Sequence, residues 1–283
     1  MGSEDNWDLI IKPRYKWYQI DLASIWRYKD LIGLLVRRDF VAVYKQTIFG
    51  PIWYFIQPVL TSLTFAFIFG GIAKISTDGV PPILFYFAGI TIWTYFSDCF
   101  TRTSSTFVSN AGVFGKVYFP RLIVPLSVLI STLYKFFMQF AIFMGLWVYF
   151  LSTSNKIHPQ FAYMWLLPIL ILMMAGMGLG FGVLVSSLTT KYRDLTFLVG
   201  FGVQLLMWAS CVVLPLSTMS PKVRTLMLLN PFTSIIETFR FIFLGSGHLL
   251  SLWLVYGFSF MILVLFISII IFSRVEKTFM DTV

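Results

Sequence analysis

Charge is what this sequence has least of. Only 12% of its 283 residues are Asp, Glu, Lys or Arg, where a soluble chain carries about 25%. With 58% hydrophobic residues and a mean hydropathy of +0.83, it has too few polar side chains to cover its surface in water. That excludes a soluble globular domain and leaves the bilayer as solvent for most of the chain.

Cysteine and histidine are nearly missing. Cys99 and Cys211 stand inside apolar stretches and read as small buried hydrophobes rather than a disulfide or a metal site. His158 and His248 stand beside Pro159 and Gly247 with no Cys or carboxylate at ligand spacing, so both read as loop residues and no metal is expected. No G-x-x-x-x-G-K-[ST] loop occurs. The glycine-rich stretch AGMGLGFG lies mid-span and no Lys follows it. Its pairs Gly176/Gly180 and Gly178/Gly182 have the spacing that lets helix backbones approach closely. No Ser/His/Asp set converges, so the chain is expected not to be catalytic and to hold no cofactor. Met1 to Asp8 is polar and no short apolar segment with a cleavage site follows, so no cleavable signal peptide is expected.

What is present is a series of long charge-free runs. A crossing needs about 20 mostly apolar residues, and the runs place six spans at 52–73, 82–107, 122–151, 163–188, 195–216 and 249–273. The segment 217–247 holds apolar pieces too short to cross, broken by Pro221, Pro231, Gly245 and Gly247, and is expected to be re-entrant. Ahead of the first span, Ile25, Leu31, Ile32, Leu35, Val36, Phe40 and Val43 recur at helical spacing among charges. This predicts an amphipathic helix on the membrane surface, serving either as an anchor or as a surface for a cytoplasmic partner. The fold class expected is an all-α membrane protein of three parts: segment 1–45 with the interfacial helix, transmembrane domain 46–273, and tail 274–283.

The net charge of +9 would suggest nucleic acid in a soluble protein. Here it reads as topology, with no nucleic-acid partner. An inside N-terminus puts fourteen Lys and Arg on the cytoplasmic side, Lys116, Arg121, Lys191 and Arg193 among them, against five outside: Lys74, Lys156, Lys222, Arg224 and Arg240. The positive-inside rule selects that orientation, with both termini cytoplasmic.

Three charges fall within spans. Asp98 and Arg102 are four apart and can pair on one helix face, with Arg102 reaching toward the interface. Lys135 lies about 20 Å into the third span by helical rise. That difference in depth argues against an Asp98–Lys135 bridge and leaves Lys135 either facing a watery channel or in a buried pairing. Glu237 and Arg240, three apart, can also pair. Aromatics make up 19% of the chain. Interfacial belts account for Trp53, Trp147, Tyr149 and Trp165. The cluster Phe85, Tyr86, Trp93, Tyr95, Phe96 and Phe100 is denser than a belt needs, and reads either as a channel lining for a sugar chain or as lipid-facing bulk.

Several stretches, taken in order, resemble one family. RRDFVAVYKQTIFGPIWYFIQP (Arg37 to Pro58) is similar to the lead-in to the first span of polysaccharide-export ABC transporter permeases, the type-2 exporter subunits that move O-antigen, capsule or teichoic acid chains. NAGVFGKVYFPRLIVP (Asn110 to Pro125) resembles that family's cytoplasmic loop between spans two and three, and TKYRDL (Thr190 to Leu195) its second coupling loop. LNPFTSIIETFR (Leu229 to Arg240) resembles its outer N-P-x(5)-E-x-x-R segment, and RVEKTFMDTV its C-terminus.

The resemblance implies a half-transporter of the inner membrane. Two copies would enclose a channel for a lipid-linked polysaccharide, above two copies of a cytoplasmic ATP-binding subunit that hold ATP and Mg. The alternative is a type-2 permease exporting a small drug or lipid. By the same resemblance, Arg37, Arg38, Asp39, Asn110, Lys116, Arg121, Lys191, Tyr192, Arg193 and Asp194 are expected to couple to the ATPase. Asn230, Pro231, Glu237 and Arg240 are expected near the outer exit. The candidate channel lining is the aromatic cluster with Lys135.

Overall fold

The computed structural model describes residues 26–45, 50–114, 119–189 and 194–282, and every regular element among them is helical. Helix α1 (Lys29–Lys45) precedes α2 (Trp53–Phe65), which continues as wider π-type turns over Ala66–Ile72. Then come α3 (Pro82–Ser104), α4 (Thr106–Phe114) and α5 (Ile123–Thr153). A 3₁₀ stretch, Phe161–Leu166, leads into α6 (Leu167–Thr189). The chain ends with α7 (Leu195–Trp208), α8 (Pro221–Leu228), α9 (Pro231–Leu244) and α10 (Ser251–Thr282). Among the described residues five helices are long and apolar enough to cross a bilayer: Trp53–Ile72, Pro82–Ser104, Ile123–Thr153, Phe161–Thr189 and Ser251–Val275. The pair α8–α9 makes a sixth if its 102° bend is counted as one broken span. The chain is an all-α multi-pass membrane protein.

Helix α3 is the centre of the bundle. Phe87 stacks on Phe143, Tyr95 on Phe136, and Cys99 Sγ lies 3.0 Å from Thr132 Oγ1. As one number rises the other falls, so α3 and α5 run antiparallel in a fixed register. On its other side α3 meets α6, and the glycine stretch explains how. A Cβ on Gly178 would stand 2.5 Å from Cys99 Cβ, and one on Gly182 2.5 Å from Thr103 Cβ. Gly176 and Gly180 instead face Met261, Val264 and Leu265 of α10. Each small-xxx-small pair thus serves a different neighbour, and α6 is gripped from two sides.

Three boundaries differ from the sequence expectation. The second span stops at Ser104 rather than 107: Ser104 Oγ and Ser105 Oγ bond back to the Thr101 and Arg102 carbonyls and compete with the helical ladder. The last helix does not stop at 273 but runs on to Thr282, so the residues expected as the tail continue it as helix. Most consequential is the fifth span. Helix α7 is only 14 residues long, about 21 Å, against a hydrocarbon core of about 30 Å. Residues 209–215 continue as irregular backbone with Cys211 at φ +56°. The apolar run was long enough, but Pro215 and the left-handed Cys211 end the ladder inside it.

Gly178→Leu is expected to force α3 and α6 apart and to cost roughly 1–3 kcal/mol. Gly145, with open space beside it, provides the control as Gly145→Leu. Thermal melting of the detergent-solubilised chain should fall for the first and hold for the second.

Candidate functional site

Irregular backbone at membrane depth needs cover, because an unpaired carbonyl in hydrocarbon costs several kcal/mol. Residues 210–213 are buried in the protein, and α9 supplies their donors. Arg240, with no exposed surface, donates from Nη1 to the Cys211 carbonyl at 2.7 Å and from Nη2 to the Val212 carbonyl at 2.5 Å. Its Nη1 also donates to Glu237 Oε1 at 3.3 Å, and the guanidinium lies 3.7 Å over the Phe85 ring. Asn230 does two jobs. Its Oδ1 accepts from Phe232 N at 3.1 Å, capping α9 ahead of Pro231 at the first helical position. Its Nδ2 donates to the Ala209 carbonyl at 2.8 Å and to Ser210 Oγ at 2.9 Å. Gly89 leaves room for this arrangement, since a Cβ there would stand 2.6 Å from Arg240 Nη2.

The far end of α9 has its backbone carbonyls closed as well. A helix leaves its last four carbonyls unpaired, here those of Phe241 to Leu244. Gly245 N bonds the Phe241 carbonyl, Gln160 N that of Ile242, Trp147 Nε1 that of Phe243 and His158 N that of Leu244. Gly245 adopts the left-handed conformation, φ +71°, that closes such ends. Trp147 is therefore a buried cap rather than a belt residue. Arg240 is likewise not an outer-loop cation, as the charge count had it.

A second polar grouping lies where α1, α2, α3 and α5 meet. Asp98 and Arg102 do not pair with each other. Asp98 Oδ2 accepts Lys135 Nζ at 2.7 Å, and Arg102 Nη2 donates to Asp39 Oδ2 on α1 at 2.5 Å. Asp39 Oδ1 also takes Arg38 Nη2 at 2.9 Å. The Asp98–Lys135 bridge overturns the depth argument. The level of Cys99 against Thr132 places residues 98 and 135 within about one turn of each other, so the start of α5 overhangs the end of α3. Side chains lean toward their own helix N-terminus, and in antiparallel helices that brings Asp98 and Lys135 toward one another. Lys135 Nζ also lies 5.3 Å from the Tyr54 ring centroid. Around these groups is a small cleft lined by Val36, Asp39, Phe40, Tyr54, Arg102, Ser131, Tyr134, Lys135 and Met138. Lys135 is thus both paired and on a cleft wall.

The remaining expected residues divide. Phe85, Tyr86, Trp93, Tyr95 and Phe96 are between 0% and 4% exposed and pack against the chain's own helices, so none offers a surface that a passing polymer can touch. Phe100 is half-buried between Phe96 and Phe181. For the five buried rings this corrects the reading as channel lining and equally as lipid-facing bulk. Arg37 and Arg38 are exposed on α1, and Asp194 is exposed just ahead of α7. Asn110 Nδ2 donates to its own helix, to the Thr106 carbonyl at 2.9 Å. Arg121 is buried, its guanidinium 5.5 Å from the Phe114 ring centroid. Lys116, Lys191, Tyr192 and Arg193 lie outside the described residues. Sequence reasoning missed what Asn230 and Arg240 hold; the available signal was a cation inside an otherwise apolar helix shortly after a proline-broken span.

The family model described as ABC-2 type transporter matches residues 30–244, from α1 through the end of α9. The chain belongs to this family. Its curated relatives include the O-antigen export system permease protein RfbA of Klebsiella pneumoniae, 23% identical over 256 residues, which take in 89% of this chain and 94% of the relative. The protein of the same name from Myxococcus xanthus is 26% identical over 224 residues, 78% of this chain and 83% of the relative. As an ABC-2 permease the chain is the membrane subunit of an ABC transporter, a family that works with an ATP-binding subunit.

In this permease the buried Glu237–Arg240 pair is there for the broken backbone. A buried ion pair gains little net stability over apolar packing, but removing one member is expensive. Arg240→Met is expected to cost about 3–5 kcal/mol by stranding Glu237 and two carbonyls. Glu237→Gln also removes a member of the pair and should destabilise, but by less than Arg240→Met because both carbonyl contacts are kept. Fluorescence-detected gel filtration after a heat step ranks the two.

Proposed function

We propose that two copies of this permease enclose a path across the inner membrane for a lipid-linked polysaccharide of the O-antigen kind. Two copies of a separate cytoplasmic ATP-binding subunit, holding ATP and Mg, drive it. The observation that carries the reading is similarity to O-antigen export permeases along nearly the whole of both chains. The distribution of Lys and Arg supports cytoplasmic termini. The coupling end is then the one carrying Arg37, Arg38, α4 and Asp194, and the clamp of α9 on residues 209–212 lies toward the exit.

The sugar-contacting aromatics are assigned to α2 and α7 rather than α3. These two helices adjoin through Trp208, whose ring lies 6.1 Å from Phe65 and 5.9 Å from Phe69. They turn Trp53, Phe67, Phe197 and Phe201 outward, with Phe197 84% exposed. Flat rings stack on the C–H faces of sugars without reading their sequence, which suits a repeating polymer. A second copy facing this surface would complete the path. Force from the ATPase enters through α1, residues 106–123 and residues 190–194.

The purified chain is expected to hydrolyse no ATP, to co-purify with its ATP-binding subunit, and to lose that association in the Lys191→Glu/Arg193→Glu double variant while still inserting in the membrane. Deletion should leave the surface glycan inside the cell. ATP hydrolysis by the chain alone, or a deletion strain with unchanged surface glycan that retains a small drug or lipid, would overturn the assignment.

A further inference from the structure

We infer that Asp39 and Arg102 form a releasable latch holding α1 on the membrane body, with a replacement partner for each already in place. Its role in transport rests on the function proposed above; the latch itself does not.

Five charges, two acidic and three basic, have two arrangements in which each keeps an opposite charge beside it. In the structure, Arg102 of α3 reaches Asp39 of α1, and Asp98 of α3 reaches Lys135 of α5. Asp39 is simultaneously held by Arg38, its neighbour on α1. Asp98 stands four residues before Arg102, the spacing at which opposite charges meet on one helix. If α1 lifts, Asp39 keeps Arg38, Arg102 turns to Asp98, and Lys135 shares that carboxylate beside the Tyr54 ring. No ion is left bare in either arrangement, so release avoids the large cost of stranding a charge.

The setting fits a reversible contact. Arg102 is 42% exposed and Asp39 11% exposed by side chain. Apart from the latch, α1 is seated through Leu31, Ile32 and Leu35 in the apolar cluster that holds Phe107, Phe119 and Ile123, while Leu34 faces outward. The cleft at the latch is walled by α1, α2, α3 and α5 together, so lifting α1 changes the surroundings of three spans at once.

The test is hydrogen exchange of the full-length chain in lipid nanodiscs, reading peptides across α1 with those of α6 as the folding control. Asp39→Asn removes the latch and should speed α1 exchange about 2–5-fold, the ratio an exposed ion pair supplies, with α6 unchanged. Asp98→Asn combined with Lys135→Met removes the replacement partner without orphaning a cation, and should slow α1 exchange or leave it at the wild-type rate. Arg102→Lys should stay near wild type. An Asp39→Asn chain with unchanged α1 exchange, or an Asp98→Asn/Lys135→Met chain that opens α1 as much as Asp39→Asn does, would overturn the latch. No ATP-binding subunit is needed, so these results bear on the latch whatever the permease exports.

Discussion

A guanidinium laid over broken backbone is the contact on which the second half of this permease depends. Helix α7 ends well short of a bilayer's thickness, and the chain then runs as irregular backbone through a region that water does not reach. Arg240 and Asn230 together donate to the carbonyls of Ala209, Cys211 and Val212. Arg240 lies in α9 and Asn230 caps it, and the helix's own final carbonyls are closed by Trp147, by Gly245 and by the backbone of residues 158–160. One short helix therefore fastens the end of α7, the end of α5 and the loop before α6. Glu237 lowers the cost of burying the arginine, and Gly89 and Phe85 shape the space it occupies.

Charge at the other end of the bundle works differently. The groups around Asp39 and Lys135 are partly exposed and exchangeable, where those around Arg240 are sealed. A buried pair with no alternative partner fixes geometry, whereas a half-exposed set with two arrangements permits motion. The permease thus carries a rigid polar site and an adaptable one, separated along α3, which touches both through Phe85 and Arg102.

The spans were legible because lipid imposes a length requirement that soluble folds do not, and runs of apolar residues report it directly. The packing role of the Gly176–Gly182 stretch was legible for a similar reason, since only small residues permit that approach. Hydropathy did not show where α7 ends, because residues 209–216 are charge-free and, Ser210 apart, apolar whether or not they are helical. Nor could it sort the aromatics. Lipid tails and a protein interior are equally apolar, so Tyr86 and Trp93 read the same facing either, and only the fold shows that α3 is covered by its neighbours. The Asp98–Lys135 bridge escaped because helix register is tertiary information: depth counted from each span's own start assumes that all spans start level.

The two-sided grip on α6 has a mechanical consequence. With Gly178 and Gly182 seated on α3 and Gly176 and Gly180 on α10, rotating α6 by even a fraction of a turn would drive full-sized side chains into a backbone on one face or the other. The slab of α3, α6 and α10 is therefore stiff. Whatever opens and shuts a route for cargo must be carried by the loosely covered helices at its margins.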